Sequence, residues 1–299
     1  MNFSGKFNQM DKFRSMQEII IIGAPRSGTN MLRDAICSLP DFGTWPCDEI
    51  NYIWRHGNMS FQSDCLTADK ASPQVASYIK SKFVTLSKEN ELKYVVEKTC
   101  ANSLRIPFVS RVLPEAKYIF IYRNGVDAVA SARLRWAAKL DLRYLVKKAK
   151  FVPYSDFPYY GFKYVWNRIY RIFSGRERLA FWGPKLENMD ELLKNYSLEE
   201  VCAMQWRNCV TFAQRDLARL GLPVVSVKYE EFVLAPEKEL LRICTELGIQ
   251  VEEHNLSKAV AGIKVQSVGK GHRELGEEIL KKLHPLLSDT LVQLGYDAV

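Results

Sequence analysis

The sequence has no C-x-x-C pair. Its seven cysteines, Cys37, Cys47, Cys65, Cys100, Cys202, Cys209 and Cys244, stand apart, which argues against a zinc ribbon or a thioredoxin-type site. An odd number of cysteines in a chain of 299 residues fits free thiols in a reducing compartment. The four histidines, His56, His254, His272 and His284, lack metal-ligand spacing and are assigned no role. No apolar run approaches the roughly 18–20 residues needed to cross a bilayer. The run Ile19–Ile22 is too short for a signal-peptide core. The expectation is a soluble, cytoplasmic protein. Internal repeats and low-complexity tracts are also missing, so an array or a disordered tail is not expected. The most informative absence is chemical. A strand runs into a Gly-rich loop at Gly23–Gly28, yet the Gly-Lys-Ser/Thr that completes a Walker loop is not there.

What is present is positive charge. Lys and Arg number 42 against 34 Asp and Glu, a net +8. That favours an anionic ligand without naming one: a nucleotide, an acidic glycan, nucleic acid and an anionic membrane surface all fit. The composition, 47% hydrophobic and 25% charged, is that of a globular protein.

Four short apolar runs punctuate the chain: Ile19–Gly23, Tyr94–Glu97, Lys117–Tyr122 and Val224–Lys228. Each precedes a stretch with helical spacing, at 29–38, 103–112, 126–139 and 236–247. Nearly continuous apolar strands alternating with helices predict a parallel sheet covered on both faces. Residues 1–17 read as a loosely docked arm. Between the third and fourth strands, 140–220 reads as a helical insertion over the sheet edge within a single domain, 1–299. Its first half is rich in aromatics from Phe151 to Trp182 and carries Lys163, Arg168, Arg171, Arg176 and Arg178; its second half, 198–220, has amphipathic spacing.

The loop Pro25-Arg26-Ser27-Gly28-Thr29-Asn30 lies where a strand turns into a helix. Backbone N–H groups exposed there, aided by the helix dipole, form an anion site. Gly23 and Gly28 permit tight turning, Ser27, Thr29 and Asn30 add side-chain donors, and Arg26 adds a planar cation. The set suits a phosphate or a sulfate. Without the Lys-Ser/Thr pair it does not suit Mg²⁺-dependent hydrolysis of a triphosphate. The third strand repeats the logic. Arg123 stands at its end and Ser131 follows eight residues on. Either the two clamp a second phosphate, or Arg123 pairs with Asp127, one helical turn away.

Together the two signatures resemble those of the sulfotransferases that use 3′-phosphoadenosine 5′-phosphosulfate (PAPS). "APRSGTN" is similar to their 5′-phosphosulfate loop in its Pro-Arg-Ser-Gly-Thr form, and "RNGVDAVAS" to their 3′-phosphate motif. "EKTCAN" (97–102), "VKYEEF" (227–232) and "SVGKGHREL" (267–275) resemble further family segments in the same order. The resemblance spans about Ile19 to Tyr296. It implies a P-loop NTPase-like, three-layer α/β fold with a central parallel sheet, PAPS as donor, the bisphosphate PAP as product and no metal. Cofactor contacts are expected from Pro25, Arg26, Ser27, Gly28, Thr29, Asn30, Arg123, Ser131, Tyr229 and Lys270. The catalytic set expected is Glu49 as base, Asp48 as its alternative, and Arg26 and Lys98 as cations.

No histidine stands at a plausible base position, and an arginine occupies the loop. Both features shift the expected acceptor towards a carbohydrate or peptide hydroxyl, with aromatic faces for sugar rings in the insertion. No nucleic-acid partner is expected, and the sequence leaves the oligomeric state open. Two other readings compete: a P-loop nucleotide kinase, and a non-catalytic module binding a nucleotide or polyanion.

Overall fold

The computed structural model describes residues 16–136 and 182–298. Residues 1–15 of the expected arm, and 137–181 with the aromatic, basic part of the expected insertion, lie outside the described residues; Gln17, expected in the arm, instead opens the first strand. A parallel sheet stands at the centre, in the order β2-β3-β1-β4-β5. Its strands are β1 (Gln17–Ile22), β2 (Phe42–Gly43), β3 (Tyr94–Lys98), β4 (Lys117–Tyr122) and β5 (Val224–Lys228). The four expected strands are present. The fifth, β2, is a two-residue edge pairing with β3 at Phe42 and Gly43, too short to show as a sequence period.

Side-chain alternation along these strands builds two cores. Ile19, Ile21, Val96, Ile119, Ile121, Val225 and Val227 face one side. There they meet α1 (Thr29–Cys37), and later in the chain α9 (Pro236–Glu246) and α10 (Glu253–Val260). Ile20, Ile22, Val95, Tyr118 and Phe120 face the other side. All four isoleucines of β1 are fully buried, each stabilising by roughly 1.5–3 kcal/mol. Period-2 alternation inside an unbroken apolar run is what a strand buried on both faces requires.

The second face is covered by α3 (Pro73–Asn90), α4 (Ile106–Val112), α5 (Gly125–Trp136), α7 (Leu198–Arg219) and α12 (Glu277–Gln293). Among the described residues there are also shorter helices: α2 (Asn51–Trp54), α6 (Met189–Asn195), α8 (Tyr229–Leu234) and α11 (Lys270–Glu274). Helix α7 buries Val201, Cys202, Trp206, Cys209, Val210 and Ala213 in this layer and packs against α5 and α12. It is thus a layer helix lying on the sheet face, where the sequence placed it over the edge. The expected single helix at 103–112 is divided: a 3₁₀ stretch, Cys100–Leu104, ends at Arg105, whose φ/ψ of −145°/35° leaves the helical region before α4 begins. The fold is the expected three-layer α/β arrangement around a parallel sheet.

Candidate active site

The carboxyl ends of β1, β3 and β4 open onto one place, as expected for ligand sites in open parallel sheets. β1 delivers the loop 23–28. Pro25 is buried in the turn and Arg26 adopts a positive φ of 68°, an uncommon conformation for a residue with a side chain. Gly28 follows at φ 86° and forms the N-cap of α1, so the loop amides lie at the helix N-terminus. The Ser27 hydroxyl is fully buried without a hydrogen-bond partner, and so is the Asn30 Oδ1.

β4 delivers Arg123. Of the two sequence alternatives for this residue, the pairing with Asp127 is present. Its guanidinium lies 3.3 Å from Asp127 Oδ2, and it also donates to the Arg26 carbonyl at 3.1 Å and to the Ser267 carbonyl. Its Nε is buried and unpartnered. Ser131, two turns along α5, accepts from Arg26 Nε at 2.8 Å. The two signatures, 105 positions apart, therefore share one hydrogen bond. Burial pushes the Arg26 pKa down, with the positive charges of Arg135 and Arg123 adding to it. Asp127 offsets part of this positive charge, at Arg123.

Tyr229, at the start of α8, is buried under the Arg123 guanidinium, 4.5 Å from ring centroid to Cζ. Its hydroxyl meets the Ser267 hydroxyl at 2.5 Å. Asp127 accepts backbone N–H groups from Gly269 and Gly271 at 2.8 and 2.5 Å, which ties the C-terminal segment to α5. Lys270 itself is half exposed and pairs with Glu274 at 3.0 Å.

β3 delivers Lys98, nearly buried, whose Nζ lies 3.1 Å from Glu49 Oε1. The Cys100 N–H donates to the same oxygen at 3.2 Å. Burial of Lys98 opposes its charge, but the Glu49 carboxylate outweighs this and holds the pKa above the ordinary lysine value. Cys100 Sγ lies 3.7 Å from the Thr29 hydroxyl, so Glu49 and the head of α1 meet across one cysteine. Asp48 is more exposed and lies 3.9 Å from Arg33. His56 stacks on Tyr78, with ring centroids 3.8 Å apart.

Several contributors carried no sequence signal as single residues. Ser103 accepts the Gly23 N–H at 3.1 Å and fixes the start of the loop. Trp206, from α7, donates to the Arg123 carbonyl at 3.2 Å. Their roles depend on contacts 80 and 83 positions apart. Behind Lys98 lies Glu97, fully buried, with its pKa pushed up to about 7 by burial against the opposing Thr99 hydrogen bond and the charges of Lys98 and Arg105. Among the described residues, no three His, Cys, Asp or Glu side chains gather as a metal site.

Residues 18–150 match a family model described as the sulfotransferase family. Both anion-binding signatures lie within that segment. Sulfotransferase structures also share the architecture over nearly the whole chain. The sulfotransferase domain from the curacin biosynthetic pathway is 14% identical, covering 96% of this chain and 100% of that one, with a TM-score of 0.54. The sulfotransferase STF9 from Mycobacterium avium is 12% identical, covering 97% and 80%, with a TM-score of 0.52. The sulfotransferase domain from the Synechococcus PCC 7002 olefin synthase is 16% identical, covering 95% and 96%, with a TM-score of 0.51. At these identities the likeness is one of sulfotransferase fold. No curated protein matches the chain in sequence. No described helix is long and apolar enough to cross a membrane.

Proposed function

We propose that this chain transfers a sulfuryl group from PAPS to an acceptor hydroxyl, a carbohydrate hydroxyl being the favoured acceptor. The observation that carries the reading is the Arg26–Ser131 hydrogen bond at 2.8 Å, beside Arg123. It makes one cationic site from a phosphate loop and a second clamp, as a nucleotide with phosphates at both ends of its ribose requires. The orphaned, buried Ser27 Oγ and Arg123 Nε fit such a ligand, because each has a hydrogen bond still to make.

The donor, when bound, supplies an activated sulfuryl group on a bisphosphate leaving group. Arg26, Ser27 and the loop amides would hold its 5′ end and stabilise charge on the departing oxygen. Arg123 and Ser131 would hold the 3′-phosphate. Glu49, partly exposed at the mouth of the site, would take the acceptor proton, with Asp48 as the less enclosed alternative. Lys98, paired with Glu49 at 3.1 Å, would add positive charge near the transferring group. Alignment of acceptor, sulfur and leaving oxygen is the remaining requirement, and rigid anchoring of both phosphates serves it. The carbohydrate preference rests on the carboxylate base and on the aromatic, basic composition of 151–182.

Calorimetry with PAP, and separately with ATP and Mg²⁺, tests the reading on the wild type and on Arg123→Ala. Metal-free PAP binding, weakened at least tenfold in Arg123→Ala, is the expected result. A preference for ATP with Mg²⁺ would revive the kinase reading. Binding of neither, together with affinity for polyanions that falls steeply with salt, would favour the non-catalytic module.

A further inference from the structure

The Glu97 carboxylate is the meeting point of two hydrogen-bonded arms, both reaching the segment that carries Glu49. In the first arm, the Ile50 N–H donates to Thr99 Oγ1 at 3.2 Å, and the Thr99 hydroxyl donates to Glu97 Oε1 at 2.5 Å. In the second, Asn102 Nδ2 donates to Glu97 Oε2 at 2.8 Å, and Arg105 Nε donates to Asn102 Oδ1 at 2.8 Å. Arg105 then reaches across to Asn51 Oδ1 at 2.6 Å. Ile50 and Asn51 directly follow Glu49.

The direction of donation matters. Along Arg105–Asn102–Glu97 and along Ile50–Thr99–Glu97, every hydrogen points towards the carboxylate. An ionised carboxylate accepts on both oxygens and donates on neither, so it alone satisfies both arms. Glu97, Thr99, Asn102 and Arg105 are all buried, and no bulk water can substitute for a lost partner. None of these hydrogen bonds touches Arg26, Arg123 or Ser131.

We infer that Glu97 is a positioning residue for sulfuryl transfer: it fixes the Ile50–Asn51 backbone through Thr99 and through Asn102–Arg105, and so sets where the Glu49 carboxylate lies. The inference rests on the reading of Glu49 as base. It assigns Glu97 no contact with the donor or acceptor.

Glu97→Gln keeps the shape but turns one acceptor into a donor. The new amide N–H faces either the Asn102 amide, whose turning would set its N–H against Arg105, or Thr99 Oγ1, whose own hydroxyl hydrogen then loses its acceptor. Thr99→Val removes the first arm alone, whereas Thr99→Ser retains the hydroxyl. On the full chain, three quantities are measured: PAP affinity by calorimetry, Ile50 amide hydrogen exchange by NMR, and PAP release from PAPS with water as acceptor. In Thr99→Val and Glu97→Gln the expected results are PAP affinity within about twofold of wild type, Ile50 exchange at least about tenfold faster, and PAP release at least about tenfold slower. Thr99→Ser should recover slow exchange and faster release relative to Thr99→Val. Unchanged Ile50 exchange or unchanged release in Thr99→Val would overturn the inference, even if Glu97→Gln fails to fold. A wild type that does not bind PAP would instead overturn the proposed function. In that event the Ile50 exchange rates alone decide whether Glu97 holds the segment.

Discussion

Gly28 shows how much one position in the phosphate loop is asked to do. Its φ of 86° is costly for any residue with a Cβ. A Cβ there would also lie 2.4 Å from Tyr229 Cδ2, inside the ring that supports Arg123. Relief requires the Tyr229 ring to shift, which disturbs both the loop and the second clamp. Gly28→Ala is therefore expected to lower stability by about 1–3 kcal/mol and to weaken PAP binding at least tenfold. Thermal unfolding and calorimetry together check this. Retained affinity would mean that the Tyr229 ring moves without cost to Arg123. Arg26 presents the complementary case, a side chain held at φ 68°. Sequence reading assigned this loop an anion from its residue types alone. It could not foresee the backbone of Arg26, nor that its carbonyl is one of the groups steadying Arg123.

At the scale of elements, legibility followed the range of the signal. β1, β3, β4 and β5 were readable because strands buried on both faces must be apolar throughout. α9 was readable from its period and from Pro236 at its first position. α3, 18 residues long, was not anticipated: it buries only Val75, Ile79, Phe83 and Leu86 among polar neighbours. The Glu97 network was equally hidden, since its members are joined across 49 and 54 positions. α7 was legible as a helix but not in its place. It starts with a capping box, in which Ser197 accepts the Glu200 N–H and Glu200 reaches back to the Ser197 N–H. That helix carries Trp206 to the Arg123 carbonyl and packs its ring against Gly125. Ser197→Ala is expected to cost about 1 kcal/mol of stability, read as a lower unfolding midpoint, while PAP affinity changes less than twofold. A large loss of PAP affinity would show that fraying at this distant end reaches the clamp.

For the whole molecule, the buried Glu97 sets stability against function. Its pKa rises from 4.5 to about 7 on folding, chiefly through burial, with Thr99, Lys98 and Arg105 opposing. Between those values the native state binds more protons than the unfolded chain, so stability falls as pH rises through the window. Below it the carboxyl is protonated in both states and the penalty vanishes; above pH 7 it is complete, at about 3 kcal/mol. Glu18, also raised by burial, adds in the same direction. In a chain of this length, 3 kcal/mol corresponds to about 5 °C in unfolding temperature. The hydrogen-bonded arms need the ionised form, so the pH range in which Glu49 is best held is the range in which the fold is weaker. Calorimetric scans at pH 5 and pH 8 should show the wild type losing about 4 °C more than the Glu97→Gln variant. Equal losses would place the buried proton elsewhere. A wild type that gains stability across the window would mean that Arg105 and Lys98 outweigh burial, making the ionised carboxylate a net support of the fold.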